Sequence, residues 1–138
     1  MNTQILPVSE PQPLIADPAL EALAVAHYEH VYALCHAFHA DPAACLSLTN
    51  QVFRDSTASP EYLTVCRQAV RAITRRPGEL PVPSCSLRAN VAWLLKEVTG
   101  LRYSEIGEVL GLELDQIKQT IAEVREALLS AMSEQAAA

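Results

Sequence analysis

The stretch LRYSEIGEVLGLELDQIKQTIAEVR, Leu101 to Arg125, decides the fold of this chain. It reads as two helices joined by a tight turn. Gly107 in the first helix is small enough to let a second helix approach closely. Gly111 can take the positive φ that a short inter-helix turn demands. Ile117 returns an aliphatic anchor from the second helix, and Ile106, Val109, Leu110, Leu114 and Ile121 complete an apolar seam. A helix-turn-helix of this kind usually offers its second helix to the major groove of DNA.

Outward from this unit, the bulk numbers agree with an all-α chain. Half of the 138 residues are hydrophobic, only 5% are aromatic and four are glycine. Leu and Ala dominate, which points to helices around a core rather than to disorder or an all-β fold. The net charge is −6, so nucleic acid can be attracted only by a local patch. No apolar run approaches the roughly 20 residues that span a bilayer. The N-terminus lacks the basic-then-apolar pattern of a signal peptide. A cytoplasmic location without a membrane segment is the expectation.

Residues 1–16, with Pro7, Pro11 and Pro13 among polar neighbours, read as a flexible tail. Asp17-Pro18, Asp41-Pro42 and Ser59-Pro60 then each set a capping side chain before a proline suited to a first helical turn, so helices are expected near 18, 42 and 60. The first carries Leu20, Leu23, Ala24, His27, Val31, Leu34, Cys35 and Phe38 at the spacing of one buried face. The second carries Cys45, Leu46, Thr49, Val52 and Phe53. The third carries Leu63, Cys66, Val70 and Ile73 opposite Arg67, Arg71 and Arg75. PGELPVPSCS, Pro77 to Ser86, is too proline-rich for a helix and reads as a linker. A fourth helix over Leu87–Val98 holds Trp93, and SEQAAA (133–138) reads as a second tail. The expected architecture is two small helical lobes, 17–76 and 87–132, joined by 77–86.

This order of motifs resembles the sigma factors of bacterial RNA polymerase, specifically the small extracytoplasmic-function group, over residues 20–130. LRANVAWLLKEVTGLRYSEIGEVLGLELDQIKQTIAEVREAL looks like that family's domain for the upstream promoter element, with EVTGLRYSEIGEVLG its strongest block. DPAACLSLTNQVF and YLTVCRQAVRAITRR resemble the helix that grips the polymerase clamp and the helix that handles the melted promoter. The resemblance implies polymerase contacts around Leu48–Phe53, through Leu48, Asn50, Gln51 and Phe53. It implies base reading by Gln116–Thr120, that is Gln116, Lys118, Gln119 and Thr120, with Arg125 on the same helix.

The residues themselves qualify this. From Leu114 to Ser130 two cations stand against three carboxylates, and Thr120 and Glu123 occupy positions where the family tends to be basic. Phosphate contacts supply most DNA affinity, so unaided binding should be weak. Gln pairs well with adenine and Lys with guanine, so base reading is still expected. Arg67, Arg71, Arg75 and Arg76 make the most basic surface, fit to track a single strand or to dock an acidic partner helix. Ordinary helix-end cations on a solvated face are the simpler reading of the same residues.

No Gly-rich phosphate loop, Gly-x-Ser-x-Gly or His-Glu-x-x-His occurs, so no enzyme, cofactor or small-molecule substrate is expected. His27, His30, His36 and His39 lack a metal-ligand spacing. Cys35, Cys45 and Cys66 read as buried hydrophobes, and Cys85 as the most accessible thiol. Three functions remain in play: a sigma-like regulator acting with polymerase core and promoter DNA, a sigma mimic that sequesters an anti-sigma or other regulatory protein, and a metal or redox sensor using the histidines and cysteines.

Overall fold

A computed structural model describes residues 18–137, which are helical apart from short connections. The expected tail at 1–16 and the Asp17 cap lie outside the described residues. Six helices follow in order: α1 (Pro18–His36), α2 (Pro42–Arg54), α3 (Tyr62–Arg75), α4 (Leu87–Glu97), α5 (Tyr103–Leu110) and α6 (Leu114–Ala137). No strand occurs among the described residues, and none of these helices is long and apolar enough to cross a membrane.

Local chemistry sets most of the helix starts. The Asp41 carboxylate accepts from the Ala43 N–H at 3.2 Å with Pro42 in the first turn, as the sequence predicts. Ser86 caps α4 by accepting from the Ala89 N–H at 3.1 Å. Such caps contribute about 1 kcal/mol each. The third expected start is shifted. Helix α3 begins at Tyr62, and the Ser59 hydroxyl accepts from the Thr64 hydroxyl at 3.3 Å instead of capping a backbone N–H. At the other end, 133–137 continue α6 rather than leaving it, in keeping with the high helix propensity of Ala.

One apolar core runs through the molecule. Leu20, Val31, Leu34, Cys35, Phe38, Val52, Phe53, Val65, Cys66, Ala69 and Ile73 from the first three helices join Val91, Ala92, Leu95, Leu101, Ile106, Ile117 and Ile121 from the rest. Each large side chain in it contributes about 1.5–3 kcal/mol through burial. Helix α3 is the central element, packing against α1, α2, α4 and α5. A smaller cluster of Val82, Ala89 and Val124 is roofed by Cys85, Trp93, Ala127 and Leu128.

Pro77–Ser86 is non-helical as expected, but it is tied down along its length. The Glu79 N–H donates to the Phe38 carbonyl at 2.8 Å. A ring nitrogen of His39 lies 2.7 Å from the Arg76 carbonyl oxygen. Fully buried Asn90 accepts from the Val82 N–H at 2.7 Å and donates its amide to the carbonyls of Val82, Cys85 and Ser86. Thr49, Ser56 and Thr99 satisfy their buried hydroxyls on carbonyls one helical turn back, so buried side-chain polar atoms among the described residues all have partners.

Candidate functional site

The helix-turn-helix is built on two glycines. Gly111 adopts φ +70° and closes α5, donating its N–H to the Gly107 carbonyl at 2.7 Å while Leu112 donates to the same oxygen at 3.0 Å. At Gly107 the turn folds back so closely that a Cβ there would lie 2.6 Å from the Leu112 carbonyl oxygen. The start of α5 is fixed by Glu105, whose carboxylate accepts from the Arg102 N–H at 2.8 Å. That bond is the main reason the Glu105 carboxyl is held below the ordinary range, with the Arg102 side chain assisting.

Helix α6 buries Ile117, Ile121 and Val124 and turns Gln116, Lys118 and Gln119 to solvent, with Thr120 half-buried. Leu114, expected in the seam, is 47% exposed, because the seam is carried by Ile117 one turn later. Gln116 has a structural task as well: its side-chain oxygen accepts from the Glu113 N–H at 2.9 Å, capping the helix start. That leaves its amide N–H groups and one lone pair of the oxygen for a base edge. Arg125 is turned to α4, where its guanidinium donates to Glu97 at 3.0 Å. The outward face of α6 therefore presents Lys118 among Glu113, Asp115, Glu123 and Glu126, all exposed. An isolated cation among carboxylates gives little phosphate affinity.

The arginines of α3 do not act as one stripe. Arg67 reaches across to Glu108 on α5 at 4.0 Å, a half-exposed pair that contributes less than about 1 kcal/mol. Arg71 is exposed. Arg75 and Arg76 line a groove of about 390 Å³ between α2 and α3, together with Ser47, Leu48, Gln51, Asp55 and Gln68. This groove brings together residues that lie far apart in the sequence: Leu48 and Gln51 on one wall, Arg75 and Arg76 on the other.

Two residues expected at a polymerase contact lie elsewhere. Phe53 is fully buried, with the Tyr28 ring stacked 5.7 Å from it, so it packs the core rather than presenting a surface. Asn50 accepts from the Tyr28 hydroxyl at 2.6 Å, an internal bond between α2 and α1.

The histidines and cysteines have local partners. His27 stacks on Tyr62 with ring centroids 3.9 Å apart, and its Nδ1 lies 3.4 Å from that of His30. Burial, then the neighbouring His30, holds the His27 pKa below its usual value. The Tyr62 hydroxyl donates to the Thr99 carbonyl at 2.9 Å, which ties α1, α3 and the end of α4 together. Cys35, Cys45 and Cys66 are free and buried, and Cys85 is half-buried. Burial pushes the Cys35 thiol up to about 11 and the Cys66 thiol to about 12. Among the described residues no group of three or more His, Cys, Asp or Glu converges as a metal site would require.

The Asn90 clamp and the Gln116 cap are among the roles that sequence reading missed. For Gln116 a signal existed: a polar acceptor three residues after the helix-preceding Glu113 is the spacing of a reciprocal cap. No protein-family model, curated protein or solved structure matches the chain.

Proposed function

We propose that this chain is a sigma-like transcription regulator, cytoplasmic and non-enzymatic, that acts with RNA polymerase core at promoter DNA. The observation that supports the reading best is the helix-turn-helix closed by Gly107 and Gly111, with Lys118 and Gln119 exposed on the outer face of its second helix. Those two side chains carry the base reading, since Gln116 and Arg125 are partly committed to intramolecular bonds. In this reading 17–76 and 87–132 work as two lobes about Pro77–Ser86. The first docks on polymerase through the α2/α3 groove, using Leu48, Gln51, Arg75 and Arg76, while Arg67 and Arg71 face a single strand. Polymerase supplies the affinity that an acidic recognition helix lacks.

A second reading has its own support. Carboxylates dominate the outer face of α6, and Arg125 is already neutralised by Glu97. Such a face suits a sigma mimic that sequesters an anti-sigma or other regulatory protein without touching DNA.

Interferometry with immobilised core RNA polymerase tests the first reading. Saturable binding is expected, and Gln51→Ala with Arg75→Ala should weaken it at least tenfold. Absence of binding at micromolar concentrations would remove polymerase from the account and leave the mimic.

A further inference from the structure

We propose that His27 and His30 on α1 form an exchangeable zinc site. Their Nδ1 atoms lie 3.4 Å apart, beyond the about 2.7–3.2 Å of an ordinary N–H hydrogen bond. Zinc bonds an imidazole nitrogen at about 2.0–2.1 Å, so one ion bonded to both atoms would subtend an angle of about 110°. That is close to the tetrahedral angle zinc prefers, and it is met with neither nitrogen moved. A square-planar Cu(II) ion, with adjacent donors at about 90°, would need the two nitrogens about 2.9 Å apart.

Two features hold the pair in place. The residues are three apart on one helix, the separation that sets two side chains on one face. The His27 ring is half-buried and stacks on Tyr62, with centroids 3.9 Å apart and planes 19° from parallel. Tyr62 is itself fixed by its bond to the Thr99 carbonyl at 2.9 Å. One ligand is therefore ordered before an ion arrives, which lowers the entropy lost on binding. His30 is exposed, which gives an ion access from solvent.

The other two histidines are engaged elsewhere. A ring nitrogen of His39 lies 2.7 Å from the Arg76 carbonyl oxygen, and His36 stacks with Tyr32. Among the described residues no third protein ligand converges on the pair, so water completes the shell of the ion. The site is thus a labile chelate and not a structural one, which takes four protein ligands. With zinc bound, both rings carry their proton on Nε2. A ring protonated at Nδ1 reaches that form by a change of tautomer, with no proton lost.

Calorimetric titration of the full chain with zinc chloride at neutral pH tests this, with circular dichroism as the check on folding. One ion per chain should bind saturably at micromolar concentrations. His27→Ala and His30→Ala should each weaken binding at least tenfold, because two donors on one helix act as a chelate. His36→Ala with His39→Ala, and separately Cys85→Ser, should leave the affinity unchanged. No saturable uptake by the wild-type chain, or uptake that survives either single histidine change, would overturn the site. Weakening by Cys85→Ser as large as that by His27→Ala would put the ion on another group and overturn it too.

Discussion

Gly107→Ala separates close packing from helix propensity, because the two act in opposite directions at this position. In an exposed helix interior, replacing Gly by Ala stabilises by about 1 kcal/mol. At Gly107 the added Cβ would stand 2.6 Å from the Leu112 carbonyl oxygen and 3.9 Å from Ile117 Cγ1. The nearer atom is backbone and cannot rotate away, so the turn itself must shift. That turn is held by the bonds from Gly111 and Leu112 to the Gly107 carbonyl, each contributing about 1 kcal/mol. Overpacking of this kind costs about 1–3 kcal/mol, and weakening one of the two bonds brings the loss to about 2–4. Less the propensity gain, a net loss of about 1–3 kcal/mol is expected, a fall in Tm of about 4 °C per kcal/mol. Gly111→Ala provides the comparison: its Cβ meets nothing within 4 Å, so only the positive φ of 70° opposes it, at about 1 kcal/mol. Urea denaturation followed by circular dichroism reads both. A Gly107→Ala chain as stable as the parent, or more stable, would refute the close approach of α5 and α6.

Asn90→Ala should cost about 2–4 kcal/mol, since it strands the buried Val82 N–H and releases the segment after α3; a loss below about 0.5 kcal/mol in the same denaturation assay would show the clamp to be dispensable. For His27, the folded pKa lies below the unfolded value, so the unfolded chain binds the extra proton first. Its contribution is complete above the ordinary histidine range near 6.5 and is lost as pH falls through the folded pKa. The stability slope between pH 7 and 5 should therefore be shallower in His27→Gln, and an unchanged slope would count against this assignment. With an aromatic disulfide reagent at neutral pH, Cys85 should react first and Cys35, Cys45 and Cys66 only on unfolding. Several thiols reacting at one rate in the native chain would contradict the burial described.

Local chemistry made much of the fold legible in the sequence. The Asp41 cap, the absence of helix from Pro77 to Ser86, the Gly107–Gly111 turn and the buried faces of α1 and α3 all follow from spacing within one or two turns. Ser59-Pro60 misled because the Ser59 hydroxyl has a side-chain partner in Thr64, which competes with the backbone it was expected to cap. The family resemblance implies a surface role for Phe53, whereas its spacing from Thr49 and Val52 sets it on the buried face, where it lies. The long-range partners were not legible. Arg125 meets Glu97, Arg67 meets Glu108 and Asn90 meets Val82 only after the helices have packed. This affects the candidate site most, since those contacts decide which cations remain free for a ligand.

The most direct measurement of the central claim is selection from a random duplex DNA pool, with the chain plus core RNA polymerase compared against core alone. The complex should enrich a discrete sequence, and Lys118→Ala with Gln119→Ala should abolish the enrichment while polymerase binding persists. Enrichment no greater than with core alone would contradict a promoter-reading role for α6.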